Sequence, residues 1–287
     1  GGGSVTYYYN TSNSNSGGTA WSNVSSSTSL NAGTYYMYAV VGSTTNYNGA
    51  TTATKSFTIS KASISPTVSM SGYTYGGTKS SPSISGNTGG GSVTYYYNRS
   101  NSNSGGTAWS NVSSSTSLNA GTYYMYAVVG STTNYNGATT ATKSFTIARA
   151  TGSVSISPAS RTVTYGTSST TFTVSGTGTL SASDNNGTAS VSVSGSTLTV
   201  SNLSSINAGT TITVTVTAAQ STNYNSASKT CTVTISRTTG SVSISPASRS
   251  LAYGTSSTTF TVSGTGTLSA SDNNSTATVS ISGSTLT

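Results

Sequence analysis

The sequence predicts an all-β protein, and three observations carry this prediction. Apolar and hydroxyl residues alternate with a period of two in many short segments, for example from Ile212 to Ala218, as expected for strands that bury one face. Clusters of Gly, Ser and Asn, which favour turns, separate these segments. The chain also has 19 Tyr and many Val and Thr, whereas disordered chains are poor in aromatic and β-branched residues. The low sequence complexity therefore indicates folded strands.

Internal repeats set the domain organisation. Residues 1–62 match residues 89–150, and residues 151–199 match residues 239–287, both at an offset of 88 residues. The first pair of repeats differs at only three positions, which are Thr11/Arg99, Ser60/Ala148 and Lys61/Arg149. One period of this length is the size of a small domain. We therefore predict a partial domain at 1–61, whole domains at 62–149 and 150–237, and a partial domain at 238–287, as in a window cut from a longer tandem array.

A hairpin that occurs three times is the most regular element of each period. It opens with Asn-Ala-Gly-Thr at residues 31, 119 and 207, continues as a long alternating strand, turns through a loop with Asn-Tyr-Asn, and returns as a second alternating strand. The whole domain at 150–237 contains seven or eight short strands of this kind. That number in a domain of this length is typical of an immunoglobulin-like β-sandwich, so we predict such domains in tandem, arranged head to tail.

Aromatic residues on the long strand of the tyrosine-rich repeats are the first candidates for a binding surface. Alignment without gaps places Tyr124, Tyr126 and Val128 at the inward positions held by Ile212, Val214 and Val216, so Tyr123 and Met125 are expected on the outer face. Outward rings invite a partner. The candidate contacts for self-association or a glycan are Tyr35, Met37, Tyr96, Trp109, Tyr123 and Met125. For Trp109, a place in the core or as a lid over it is favoured over a platform for sugars.

A second set of candidates lies where one domain follows the next. The linkers are only a few residues long, so we expect Tyr47, Tyr135 and Tyr224 of the Asn-Tyr-Asn loops to fill the junctions between domains. Stacking on sugars is the alternative for these rings. Basic residues recur near the same places, at Arg149 and Arg237. They are expected to be solvated, and contact with a glycan or an anionic wall polymer is the other possibility.

Composition excludes most catalytic chemistry. The chain has no His, no Glu and only two Asp, and these two, Asp184 and Asp272, occupy equivalent positions in different domains. A Ser-His-Asp triad, a carboxylate pair within one domain and a zinc site are therefore not expected, and we predict no enzyme activity, no cofactor and no metal. Asp184 is expected to form a turn. Cys231 is expected in the core, with a disulfide between chains as the alternative.

The charge pattern also narrows the partners. The formal net charge is +8, but only 4% of residues are charged. Nucleic-acid binding would need basic residues clustered in one groove, and these are spread along the sequence. The chain has no apolar run long enough for a transmembrane helix, so no membrane insertion is expected.

Several of these motifs resemble a known family. The Asn-Ala-Gly-Thr strands, Thr-Asn-Tyr-Asn at 133–136 and 222–225, and Lys-Ser-Phe-Thr-Ile at 143–147 are similar to bacterial immunoglobulin-like repeats of large surface and adhesin-type proteins. Tyr75-Gly76-Gly77 and Tyr165-Gly166-Thr167 extend the resemblance, which covers essentially the whole chain. It implies an extracellular or cell-surface location and a bacterial source. The low charge departs from the variant of this family that calcium rigidifies.

The resulting functional prediction is the structural shaft of an extracellular bacterial fibre or surface protein. Charged residues at strand edges oppose pairing with another chain, and this sequence has few of them, so self-association into filaments is expected. The alternative is an adhesin-type module that recognises mucin or cell-wall glycans. An amyloid-like or silk-like fibre is a third possibility, which the varied strand patterns within each 88-residue period disfavour.

Overall fold

The computed structural model describes residues 2–25, 29–113 and 118–287, and almost all regular structure within them is strand. The chain divides into two compact units. The first contains Gly1–Thr151 together with Ser221–Asn225, and the second contains Gly152–Gln220 and Ser226–Thr287. The all-β prediction is confirmed, whereas the domain bounds given above remain predictions.

The first unit begins with a five-stranded antiparallel sheet. Its strands are β1 (Val5–Asn10), β2 (Thr19–Ala20), β3 (Gly33–Val41), β4 (Ala50–Thr51) and β5 (Lys55–Ile59), with a 3-10 turn at Trp21–Asn23. β3 is central and pairs with β1, β4 and β5. Rings contact one another on one face, since Trp21 lies edge-on to Phe57 with centroids 5.7 Å apart, and Tyr35 stacks on Phe57 at 5.5 Å.

The same sheet recurs in the next repeat and gains a second layer. The strands are β6 (Thr67–Ser69), β7 (Tyr73–Thr74), β8 (Ser83–Ser85), β9 (Val93–Asn98), β10 (Thr107–Ala108), β11 (Gly121–Val129), β12 (Ala138–Thr139) and β13 (Lys143–Ala148), with a 3-10 turn at Trp109–Asn111. β6 and β8 pair with each other, and β7 joins the main sheet parallel to β13. Val68 and Met70, from β6 and just after it, pack into one core with Trp109 and Phe145. Trp109 is therefore only 6% exposed, whereas Trp21 in the first sheet is 37% exposed.

The second unit contains a complete sandwich. Its strands are β14 (Val154–Ser157), β15 (Ser160–Thr164), β16 (Ser169–Gly176), β17 (Leu180–Asp184), β18 (Ser190–Ser194), β19 (Thr197–Ser201), β20 (Thr211–Ala218) and β21 (Ala227–Ser236). They form two four-stranded sheets with the orders β14-β16-β19-β18 and β15-β21-β20-β17. The first strand pairs antiparallel in one sheet, and the chain then crosses so that β15 runs parallel to β21 in the other. This is the immunoglobulin-like arrangement, and the predicted fold class is confirmed.

The core of this sandwich follows from the period-two pattern. Val214, Val216 and Val233 are fully buried, and the Thr residues between them lie on the opposite face of the sheet. Cys231 belongs to the same core and is a free thiol, so the expected core position is confirmed. Burial raises the pKa of this thiol, which keeps it protonated and unreactive at neutral pH.

A four-stranded sheet ends the second unit. Its strands are β22 (Val242–Ser245), β23 (Phe260–Gly264), β24 (Ile281–Ser282) and β25 (Thr285–Leu286), in the order β22-β23-β25-β24. It repeats the sheet of β14, β16, β18 and β19. Ile244 is 48% exposed, whereas the matching Ile156 is 6% exposed, because Ile156 packs into the core between two sheets.

The structure corrects the predicted faces of the long tyrosine-rich strand. Tyr123 and Met125 are 2% and 0% exposed and belong to the core, whereas Val128, which was expected inside, is 38% exposed. The expectation that Tyr123 and Met125 lie on the outer face is therefore wrong. Tyr126 lies on the other face and is also buried, since its ring stacks on Tyr96 at 5.3 Å.

A β-bulge explains the error. In the second unit, Gly209 N donates to Ile235 O at 2.7 Å and Ile235 N donates to Thr210 O at 2.9 Å. The two residues before β20, Gly209 and Thr210, are thus paired with the single residue Ile235 of β21. Gly209 has φ +93°, which suits glycine and is typical of this kind of bulge. The matching Gly121 pairs directly with Ile147, and pairing continues without an extra residue. The bulge takes up one extra residue that the sequence also contains, since the Asn-Ala-Gly-Thr motifs at 119 and 207 are 88 residues apart whereas the loop residues Tyr135 and Tyr224 are 89 apart. An alignment without a gap therefore shifts this strand by one residue, and a shift of one reverses every side chain.

Candidate functional site

The loop at 132–136 forms the first candidate junction, entirely within the first unit. Asn134 accepts a hydrogen bond on its backbone O from Ala62 N at 2.9 Å, and Asn136 N donates to Ala62 O at 2.9 Å. The Asn134 side chain accepts from Ala32 N at 2.7 Å and donates to the Asn31 side-chain oxygen at 2.9 Å. The loop therefore holds both the linker at Ala62 and the turn that precedes β3 in the preceding repeat.

The same contacts recur 88 or 89 residues later in the chain, with the loop Ser221–Asn225, which groups with the first unit. Ala150 N donates to Asn223 O, and Asn225 N donates to Ala150 O, both at 2.9 Å. The Asn223 side chain accepts from Ala120 N at 2.8 Å and donates to the Asn119 side chain at 2.9 Å. Two loops of one sequence pattern thus make one set of contacts.

The three loop tyrosines have different surroundings. Tyr135 is half-buried against Gly89, where an added Cβ would come within 2.7 Å of the Tyr135 side chain. Tyr224 is also half-buried, and its ring lies edge-on to Tyr75 with centroids 5.6 Å apart. Tyr47 is 64% exposed. The assignment of these three rings to junctions stays a prediction, and the contacts above are what Tyr135 and Tyr224 contribute to it.

Basic side chains close the edge of each loop. Lys61 Nζ donates to Thr132 O at 2.7 Å, and the matching Arg149 Nε donates to Ser221 O at 3.1 Å. Arg237, the third in the series, is exposed, and the sequence has no residue at the position that matches Ser221. A cation that hydrogen-bonds a carbonyl oxygen at a loop edge fixes the loop without needing an acidic partner.

The aromatic residues expected as surface contacts are for the most part in the interior. Tyr35 and Trp109 are buried with Tyr123 and Met125, and Met37 and Tyr96 are half-buried. Trp109 lies edge-on to Tyr97 and to Phe145 at 5.7 Å, so the core alternative holds for this residue. Burial raises the pKa of Tyr123, against the opposing effect of the adjacent Arg99 charge.

Sequence reasoning missed the paired asparagines. Asn31 with Asn134, and Asn119 with Asn223, join amides that are more than one hundred residues apart in the sequence, and no local pattern predicts such a pair. A signal was nonetheless present. Asn opens each Asn-Ala-Gly-Thr motif and Asn precedes each loop tyrosine, so both partners recur once in each repeat.

The other polar groups serve the fold. The Asp184 carboxylate accepts N–H groups from Gly187 at 3.1 Å, Thr188 at 2.9 Å and Ala189 at 3.2 Å, which is the expected turn. In the described parts of the chain, no three His, Cys, Asp or Glu side chains come together as ligands for a metal ion. The described residues also contain no helix with the length and apolarity needed to cross a membrane.

Comparison with known proteins gives only distant similarities. No protein-family model matches the sequence, and the search of curated proteins finds no match. Among solved structures, two titin domains in complex with telethonin are 16% identical, with 62% of this chain and 100% of that chain covered and a TM-score of 0.29. Four domains of Drosophila N-cadherin are 11% identical, with 82% and 67% covered and a TM-score of 0.30. Three titin immunoglobulin domains are 12% identical, with 82% and 88% covered and a TM-score of 0.30. Because the identities and TM-scores are this low, we derive nothing about function from them.

Proposed function

We propose that the chain is part of the structural shaft of an extracellular bacterial fibre or surface protein. The observation that carries this proposal is the repeated set of loop contacts, which joins the loops at Asn134 and Asn223 to the turns at Asn31 and Asn119 and to the linkers at Ala62 and Ala150. A protein that only needed linked domains would not need the same hydrogen bonds at successive linkers.

These contacts limit motion between successive repeats. Each loop fixes two separate segments of the preceding repeat or linker through backbone and amide hydrogen bonds, and a basic side chain adds a further bond. A linker of a few residues that is itself hydrogen-bonded cannot act as a free hinge. Hydrogen-bonded linkers would make a shaft of such domains resist bending. The extracellular location and the bacterial source in the proposal rest on the resemblance of the repeats to bacterial immunoglobulin-like repeats.

Self-association is the second part of the proposal, and an edge strand supports it. β18, with the sequence Ser-Val-Ser-Val-Ser, forms the edge of its sheet and contains neither a charged residue nor a Pro. Unprotected edges of this kind are templates for pairing with another chain. A second copy is therefore the proposed partner. Most of the aromatic candidates for this contact are buried, and Met37 and Tyr96 are half-buried.

Limited trypsin digestion tests the junctions, because Lys61, Arg149 and Arg237 are themselves trypsin sites. We expect the native chain to be cut first at Arg237 and to resist at Lys61 and Arg149, where the adjacent residues Ala62 and Ala150 are hydrogen-bonded. Asn134→Ala removes two side-chain hydrogen bonds, and cleavage after Lys61 should become roughly five- to thirty-fold faster.

Asn46→Ala is the matched control, since Asn46 occupies the same loop position in the first repeat and should leave all three rates unchanged. Asn223→Ala should affect Arg149 and not Lys61. Equal cleavage at the three basic sites in the native chain, or a rate at Lys61 that Asn134→Ala does not change, would remove the basis for rigid junctions.

A further inference from the structure

The two tyrosine-rich repeats carry the same surface cleft at the end of their first long strand. In the first repeat it has a volume of about 560 Å³, and Tyr9, Asn10, Asn31 and Tyr35 contribute to its walls. In the second repeat the matching residues, 88 positions later, enclose about 390 Å³. The cleft residues differ at one position only, where the first repeat has Thr11 and the second has Arg99. The chain therefore contains a natural matched pair of clefts, with and without a cation.

Arg99 is held in a defined position in its cleft. Its Nη2 donates to Tyr123 Oη at 2.6 Å, and its guanidinium carbon lies 4.6 Å from the centroid of the Tyr123 ring. Tyr123 Oη in turn donates to Asn119 O at 2.9 Å. Within the described residues Arg99 makes no other hydrogen bond, and a guanidinium has five N–H donors. Several N–H donors of the Arg99 guanidinium, which Tyr123 already orients, therefore remain available to a ligand.

No carboxylate of this chain is arranged to neutralise that cation. The only two acidic residues are Asp184 and Asp272, and each accepts backbone N–H groups within its own turn. A guanidinium fork pairs most strongly with a planar anion such as a carboxylate, through two parallel hydrogen bonds. The cleft at Arg99 thus presents an unmatched positive charge to whatever enters it.

Asn98, in the wall of the same cleft, supplies an acceptor. Its Nδ2 donates to Ser102 O at 2.8 Å, which fixes the orientation of the amide. Its Oδ1 is buried, and in the described part of the chain it is the one such side-chain atom without a hydrogen-bond partner. A buried acceptor with no donor is uncommon in folded proteins. This one lies beneath the surface of the cleft, so a ligand hydroxyl or a water reaches it only when the groups that cover it move.

The chemistry of these groups points to one class of ligand. Arg99 selects an anion, Asn98 selects a hydroxyl donor, and the Tyr97 ring adds an aromatic wall that is fixed edge-on to Trp109 at 5.7 Å. A volume of about 390 Å³ is within the usual range for small-molecule sites. We propose that this cleft binds an acidic saccharide, whose carboxylate pairs with Arg99 and whose hydroxyl donates to Asn98 Oδ1. The site does not depend on the shaft function proposed above.

Calorimetric titration of the full chain tests this site with trigalacturonate and with sialyllactose, against galactotriose and lactose as neutral controls. We expect an acidic sugar to bind at one site per chain and the neutral sugars to bind far more weakly. Arg99→Thr, which restores the residue of the first repeat, should weaken binding roughly ten- to a hundred-fold, and Arg99→Lys should have a smaller effect because it keeps the charge but not the fork.

Thr11→Arg is the matched gain of function, and it should raise the stoichiometry from one to two. The urea midpoint from Trp fluorescence shows that each variant keeps its fold, so lost binding with an unchanged midpoint separates ligand contact from a purely stabilising role of Arg99. The proposal fails if neither acidic sugar binds, if the neutral sugars bind equally well, if Arg99→Thr leaves binding unchanged, or if Thr11→Arg adds no site.

Discussion

At the scale of single residues, burial on β11 decides what its aromatic and apolar side chains do. Met125 is fully buried beside Phe145 and Trp109 in the core of the second repeat, whereas Val128 on the same strand is 38% exposed. The chemical character of Met125 would suit a surface contact equally well. Its position on the pleat therefore determines its role, and that position depends on the register of β11, which an alignment to β20 without a gap misplaces by one residue.

Met125→Ala should accordingly act on stability. Loss of a fully buried Met side chain leaves a cavity and should lower the free energy of unfolding of the first unit by about 2–5 kcal/mol. Val128→Ala is the control and should cost less than about 1 kcal/mol. Urea unfolding followed by Trp fluorescence measures both, since Trp21 and Trp109 are the only Trp residues and lie in this unit. If the two substitutions lowered the free energy of unfolding equally, this would contradict the assignment of Met125 to the buried face of β11 and of Val128 to the exposed face.

Asp184 gives the second unit a defined response to acid. Burial of this carboxyl acts to raise its pKa, but backbone N–H groups of Ala189, Thr188, Gly187 and Asn186 outweigh burial, so the pKa is lowered. A lowered pKa stabilises the folded state above the ordinary pKa of Asp, and this stabilisation is lost as the pH falls through the folded value.

The second unit should therefore lose stability below about pH 4, the ordinary range for Asp, and Asp184→Asn should flatten this part of the pH profile. Opening can be followed as labelling of the single thiol, Cys231, by a dithiopyridine reagent, with native chain and variant compared at each pH. An acid response that is identical in the two proteins would show that the turn carboxylate is not its source.

At the scale of elements, the sequence predicted strands well and register incompletely. The alternation of Val and Thr in β20 and β21 gave the correct faces there, because both strands bury one side only. The extra residue of the bulge at Gly209 and Thr210 is visible in the sequence, because the spacing from Asn-Ala-Gly-Thr to the loop tyrosine is one residue longer in the third copy than in the second, but the sequence does not show where in that segment the residue is inserted. Glycine at that position does not locate the bulge, because Gly121 has the same place in the repeat and forms none.

The junctions and the cleft were predictable to different degrees. The recurrence of Asn-Tyr-Asn identified the loops, but the amide pair between Asn31 and Asn134 joins segments whose proximity only the fold reveals. Arg99 was visible in the sequence as one of three differences between near-identical repeats. Its significance depends on the contact with Tyr123, which in turn requires that Tyr123 point inward, against the sequence-based expectation.

At the scale of the whole molecule, the sparse charges are compatible with the proposed self-association. Only 4% of residues are charged, so association through strand edges meets little electrostatic opposition. If β18 pairs with another copy, Ser192→Lys at this edge should reduce side-by-side association, whereas Thr213→Lys on the inner strand β20 should not. Sedimentation at increasing protein concentration distinguishes these variants.

Electron microscopy of the full chain tests the central claim, that repeated loop contacts make these domains a shaft, most directly. The account predicts a narrow distribution of angles between consecutive domains, which widens in the Asn134→Ala and Asn223→Ala double variant and remains narrow in Asn46→Ala. Domains joined at widely scattered angles in the native chain, with no change in the double variant, would contradict it.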